Sequence, residues 1–154
     1  MSEQPEFPNR PWLERDRRPA GVSDDTVSAV GKFGEALEWV ERARGHLYDF
    51  HQMMGHADGL IGDAVEALHD ADHHELAARI NTELVGRNAI EGRWSFQIVE
   101  EFDAIYWSAV RTAAEDLRND LVGGRHHVFE SEMKERRRTH GARHHEQRPT
   151  DVDG

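Results

Sequence analysis

Three observations predict an all-α fold. All five prolines fall at positions 5, 8, 11, 19 and 149, so residues 20–148 hold no residue that removes a helical donor. Apolar residues recur through that stretch at steps of three and four, which place them on one helical face. No alternation of period two persists to compete as a strand. The expected architecture is an antiparallel helical bundle of three to four helices, one or two of them long. A single domain over residues 23–138 is flanked by a flexible, extended N-terminal arm (1–22) and a disordered C-terminal tail (139–154).

The arm is proline-rich, and Trp12 and Leu13 are its only evident anchors to the body. Ser23 is the expected cap of the first helix, with Asp24 and Asp25 in the first turn, where the helix dipole favours negative charge. A stripe then runs Val30, Phe33, Leu37, Val40, Leu47, Met54, Ile61, Val65 and Leu68. It continues past Gly55, Gly59 and Gly62, so one helix over about 24–69 is expected, roughly 70 Å long. A break near Gly55–Gly59 is the rival, since each interior glycine costs up to ~1 kcal/mol.

Asp72 with Glu75 has the form of a capping box, followed by Leu76, Ile80 and Leu84 on a second helix that Gly86 ends. Asn88 with Glu91 repeats the start signal. A third helix is expected to about Val122, with Trp94, Ile98, Phe102, Ile105, Ala109, Ala113, Leu117 and Leu121 as its main stripe. Phe96, Val99, Tyr106, Trp107 and Val110 lie off that stripe, a width that predicts burial on two sides and favours a dimer interface. Gly123-Gly124 stops the helix. Val128, Phe129 and Met133 mark a short last helix, and the Arg136–Arg138 run reads as its solvated end. Residues 139–154 are polar and turn-rich, the composition of a disordered tail.

Composition narrows the function. The chain has 154 residues, no cysteine and a net charge of −11. Disulfides and thiolate metal sites are excluded. No apolar run is long enough to span a membrane, and MSEQPEFPNRPW lacks the features of a signal peptide, so a cytoplasmic location is expected. Residues 24–122 carry 20 acids against 8 Lys or Arg, which argues against DNA binding. Phosphate-binding glycine loops, a G-x-S-x-G elbow and H-E-x-x-H are all missing. No catalytic residue emerges.

Two constellations carry potential chemistry. Arg44, His51 and Asp58 interrupt the first stripe at seven-residue spacing, where apolar side chains belong. Buried polar groups need partners, and Gln97 and Glu101 are the expected ones. The seam reads either as a pocket for a ligand or cofactor, or as a network that fixes helix register. A rotated stripe through Leu47, Phe50, Met54, Ala57, Ile61 and Ala64 is the third alternative, leaving the three polar residues near solvent. The other constellation is Glu66-x-x-His69, the only such motif present. Carboxylate-bridged di-iron bundles present half their ligands in this way, from two helices. One motif does not make a family resemblance, and the plain alternative is an exposed helix end. His73 joins that face only if the helix continues, and a break is expected there.

The functional expectation is a dimerising, non-enzymatic interaction or structural module with a protein partner and no cofactor. The alternative is a four-helix metal protein, ferritin-like or otherwise non-haem, holding iron, manganese or zinc at Glu66 and His69 with Glu101 and His51 contributing. A small-ligand sensor built on the Arg44, His51, Asp58 seam is the third.

Overall fold

The computed structural model describes residues 12–149. It is all-α: the described residues contain five α-helices and no strand. Helix α1 runs from Asp24 to Asp70 without interruption. Ser23 caps it as expected, its Oγ accepting from the Thr26 N–H at 3.2 Å. The helix also passes through Gly55, Gly59 and Gly62, so the predicted rival break does not form.

Helix α1 ends in a backbone clamp. The His73 N–H donates to the Leu68 carbonyl at 2.9 Å and the Asp72 N–H to that of His69 at 3.0 Å, while Asp72 sits at φ +65°. This is a Schellman end with aspartate in the left-handed position, a conformation its short polar side chain tolerates. The expected capping box at Asp72 is therefore replaced, because the carbonyls ending α1 claim that backbone first. Helix α2 (His74–Leu84) follows. It stops in a type II turn, with Val85 at φ −64°, ψ 123° and Gly86 at φ +73°; the Arg87 N–H closes the turn on the Leu84 carbonyl at 3.0 Å.

The long third helix of the sequence reading is divided. Residues 85–94 form a loop, with a second turn at Ile90–Arg93 in which Gly92 adopts φ +74°. Helix α3 (Ser95–Phe102) starts where Gln97 accepts from the Trp94 N–H at 3.0 Å, so the Asn88–Glu91 start signal is unused. A π-helical segment, Asp103–Trp107, joins α3 to α4 (Ser108–Val122). It inserts an extra residue into the turn and shifts the phase of the helix. Val99 is consequently buried, whereas Trp94 and Ile105 of the predicted main stripe are exposed. Gly123 and Gly124 end α4 at positive φ, as expected, and α5 spans Val128–Arg137.

The chain divides into two compact units. The first takes the residues up to Leu37 and from Arg111 onward, and the second is Glu38–Val110. In the first, Val27, Val122 and Val128 form a buried cluster flanked by Val22 and Val30. Residues 1–11 of the expected arm lie outside the described residues. Of the remainder, Leu13 is buried, Arg18 forks onto Glu132 with two 2.8 Å bonds, and Arg125 donates to the Arg17 carbonyl at 2.6 Å. Within the expected tail, residues 139–149 form turns, and Gln147 donates to the Ser131 carbonyl of α5 at 3.2 Å. Residues 150–154 lie outside the described residues. Arg138 leaves the basic run to pair with Glu135.

The glycines of α1 provide a graded test of this packing. A Cβ at Gly31 would approach the Phe129 Cβ to 3.0 Å, whereas one at Gly55 meets nothing within 4 Å. Gly55→Ala is expected to raise stability by up to ~1 kcal/mol through helix propensity alone. Gly31→Leu is expected to lower it by about 1–3 kcal/mol through overpacking. Denaturant titrations of the two variants check both signs.

Candidate functional site

The second unit places Arg44, His51 and Asp58 on the inner face of α1, each against a partner on the returning chain. The Arg44 guanidinium donates to both Asp103 carboxylate oxygens, Nε to Oδ1 at 2.6 Å and Nη2 to Oδ2 at 2.9 Å. It also lies over the rings of Trp107 at 4.0 Å and Tyr48 at 5.0 Å. Seven residues on, the His51 Nδ1 and the Ser95 hydroxyl share a 2.8 Å hydrogen bond, and the imidazole tilts against Phe96 at 5.4 Å. After seven more, Asp58 accepts from the Gly86 N–H at 2.8 Å. The partners descend from 103 to 95 to 86 as α1 ascends, so this pairing is antiparallel. The arrangement selects the inner-facing stripe over the rotated one.

Each partner is supplied by a local feature of the return. The π segment presents Asp103, the start of α3 presents Ser95, and the type II turn directs the Gly86 N–H outward from its own backbone. Ser95, Val99 and Asp103 stand at steps of four, on one face of a helix. The partners expected from the sequence are engaged elsewhere. Gln97 holds the Trp94 N–H, and Glu101 forks onto Arg93. The missed signal was the match of spacings: Arg44 and His51 lie seven residues apart, and an acid and a hydroxyl, Asp103 and Ser95, lie eight apart.

Charge follows geometry at this site. The Arg44 fork holds the Asp103 carboxyl below its ordinary range, outweighing partial burial that acts the other way. The same bond raises the Arg44 guanidinium. On the other side of the return, Arg93 lowers the Glu101 carboxyl. These groups neutralise one another, and what they accomplish chemically is alignment of two chain segments.

Two clefts flank the seam. One of about 520 Å³ is lined by Met54, Ile61, Leu84 and Trp94, with Asp58 and Ser95 at its polar side. The other, of about 460 Å³, holds Glu66, His69 and His74 between the last turns of α1 and the first turns of α2. The His69 and His74 rings meet edge to face at 4.4 Å. His74 was not anticipated there. The expected break excludes His73 from this face, and the fold-back of α2 substitutes its neighbour. Among the described residues, no three His, Asp or Glu side chains converge as a metal-binding group. No helix among them is long and apolar enough to cross a membrane.

Compared with known protein families, curated proteins and solved structures, the chain matches none.

The Arg44–Asp103 pair makes a pH prediction. A carboxyl with a depressed folded-state pKa contributes stability above its unfolded value and loses it as the pH falls through the folded one. Asp103→Asn is therefore expected to lower the thermal midpoint at neutral pH. The gap from the native chain should close below about pH 4, where the unfolded carboxyl is protonated. Thermal melts of both proteins across that range measure it.

Proposed function

We propose that the protein is a non-enzymatic assembly module whose second unit completes its apolar core by association, in the first instance with itself. One observation carries this reading. In residues 38–110 only Ala77 and Val99 are buried hydrophobics, while thirteen large hydrophobic side chains stand exposed. Contiguous apolar patches on a monomer mark interaction sites, and Trp39, Met53 and Leu60 recur at multiples of seven residues along one side of α1. Exposed aromatics are the side chains that anchor interfaces, and Trp39, Trp94, Phe96 and Tyr106 are among the thirteen. The polar seam supports a structural role as well, since all three of its side chains are committed to the unit's own return segment.

Association predicts a concentration-dependent melting temperature, because a partner that binds only the folded state stabilises it by mass action. Light scattering should give about twice the 17.6 kDa chain mass. A mass of one chain at high concentration, with a melting temperature that does not move on dilution, counts against the reading.

A metal-binding reading has one observation in its favour: Glu66, His69 and His74 share a groove. It predicts near-stoichiometric iron, manganese or zinc in untagged protein truncated after Arg138, lost on His69→Ala without loss of helicity. Elemental analysis showing well under one metal per chain removes it.

A further inference from the structure

The side of α1 turned away from its return segment carries a heptad seam of its own. From Trp39 to Ala67, steps of four and three mark a second stripe, rotated by roughly 120° from the inner one. Three of its large side chains stand in the open, Trp39 at 61% exposed, Met53 at 63% and Leu60 at 54%, while Phe50 is half-buried. Between them lie small residues, Ala43, Ala57 and Ala64. The stripe covers about 42 Å of helix, four heptads, the length over which a heptad pattern is meaningful.

We propose that a second copy of the chain docks on this stripe, α1 against α1, antiparallel about a twofold axis between residues 51 and 52. This rests on the assembly reading above and specifies its face and register. Two properties of the stripe fit a copy of itself in that orientation and no other orientation equally. The first is size. Trp39 falls opposite the partner's Ala64, Leu60 opposite the partner's Ala43, and His46 opposite the partner's Ala57. Phe50 meets the partner's Met53 beside the axis, and each contact occurs twice. A parallel pairing would instead stack Trp39 on its own copy and Ala43 on its own copy, alternating clash with void.

The second property is charge. The positions bordering the stripe on its solvent side are Arg42, Asp49, His56 and Asp63. In the antiparallel register Arg42 faces the partner's Asp63, and Asp49 faces the partner's His56, whose ring N–H can donate to it. A parallel register would instead set this border against the partner's apolar border of Leu47, Met54 and Ile61, leaving Arg42 and Asp63 without each other. The border on the other side is Leu47, Met54 and Ile61, which already belong to the inner stripe. The two stripes are therefore continuous, and a second copy would extend the existing core rather than start a separate one. Self-complementarity of this kind is the defining property of a twofold interface.

The test uses the full 154-residue chain in sedimentation equilibrium at low ionic strength. Arg42→Glu and Asp63→Arg are each expected to weaken the dimer by about three- to tenfold, the scale of exposed ion pairs turned repulsive. Combined, they should return the dissociation constant to within about twofold of the native value. The two positions lie three heptads apart on one helix, so such rescue is only intermolecular. Leu60→Asp should give a monomer that keeps its helical circular dichroism, because Leu60 is exposed within the chain. A native dimer indifferent to all four variants overturns the stripe as the interface and leaves assembly through another face. Weakening by the single reversals without rescue by the double overturns the antiparallel register. A native chain that is monomeric throughout overturns both this proposal and the self-association reading beneath it.

Discussion

The second unit turns on how one arginine is held. The Arg44 guanidinium is planar and delocalised, and it spends its fork on Asp103 and its face on Trp107 and Tyr48. About three-quarters of both side chains is out of solvent, 24% of one and 25% of the other remaining exposed. An ion pair withdrawn from water this far repays its desolvation only when the geometry is complete. Completeness is what gives it discriminating power. Sliding the return segment by one residue along α1 would break the fork, the His51–Ser95 bond and the Asp58–Gly86 bond together. An apolar contact in the same place would tolerate the slip, because one leucine packs on another across a range of offsets. The three polar residues set which alignment forms, and the aliphatic stripe around them adds stability without choosing.

The π segment belongs to the same constraint. A regular helix from Ser95 to Val122 would carry the side chains past position 103 round in a different phase. The extra residue between Asp103 and Trp107 resets that phase, so that the carboxylate and the indole reach one guanidinium. The Ser108 N–H bonds back to the Asp103 carbonyl, five residues earlier, which anchors the carboxylate-bearing residue from its own backbone. Widened turns of this kind are less favourable than α-helix and persist where the surroundings require them. Here the requirement is visible in the contacts of Arg44.

Most of α1 was legible because its signals agree. Ser23 caps, Asp24 and Asp25 follow, and the apolar stripe keeps its phase from Val30 to Leu68 across its polar interruptions. The glycines at 55, 59 and 62 argued for a break, and the stripe that continues past them outweighed them. The polar interruptions at 44, 51 and 58 were legible too, as positions that would need partners. What could not be read was the phase of the return. Its apolar residues are broad enough to offer two stripes, and a stripe argument chose Trp94 and Ile105 over Val99. The choice depended on a loop start at Ser95 and a π turn, both settled by tertiary contact rather than by local preference. Asp72 failed for a related reason. Its sequence context suits an N-cap, but the end of the preceding helix needed a residue in the left-handed region, and an aspartate meets either demand.

The distribution of side chains around α1 separates internal alignment from the assembly proposed for its outer face. On the inner face, polar groups interrupt the apolar stripe at every second turn, so the return segment has one alignment and a modest buried area. On the outer face the apolar side chains stand exposed, and the charges lie at the border instead of inside. A buried polar group penalises every misaligned state, which makes it a selector; a border charge is screened by water and biases orientation at small cost. Placing the selectors inside the chain and the mild biases outside gives a unit that folds to one register before it meets anything. In the proposed dimer, association would then be driven by apolar area and oriented by charge. The small core of residues 38–110 is therefore the expected consequence of a surface divided in this way: much of its apolar material faces outward because the register inside is held by other means.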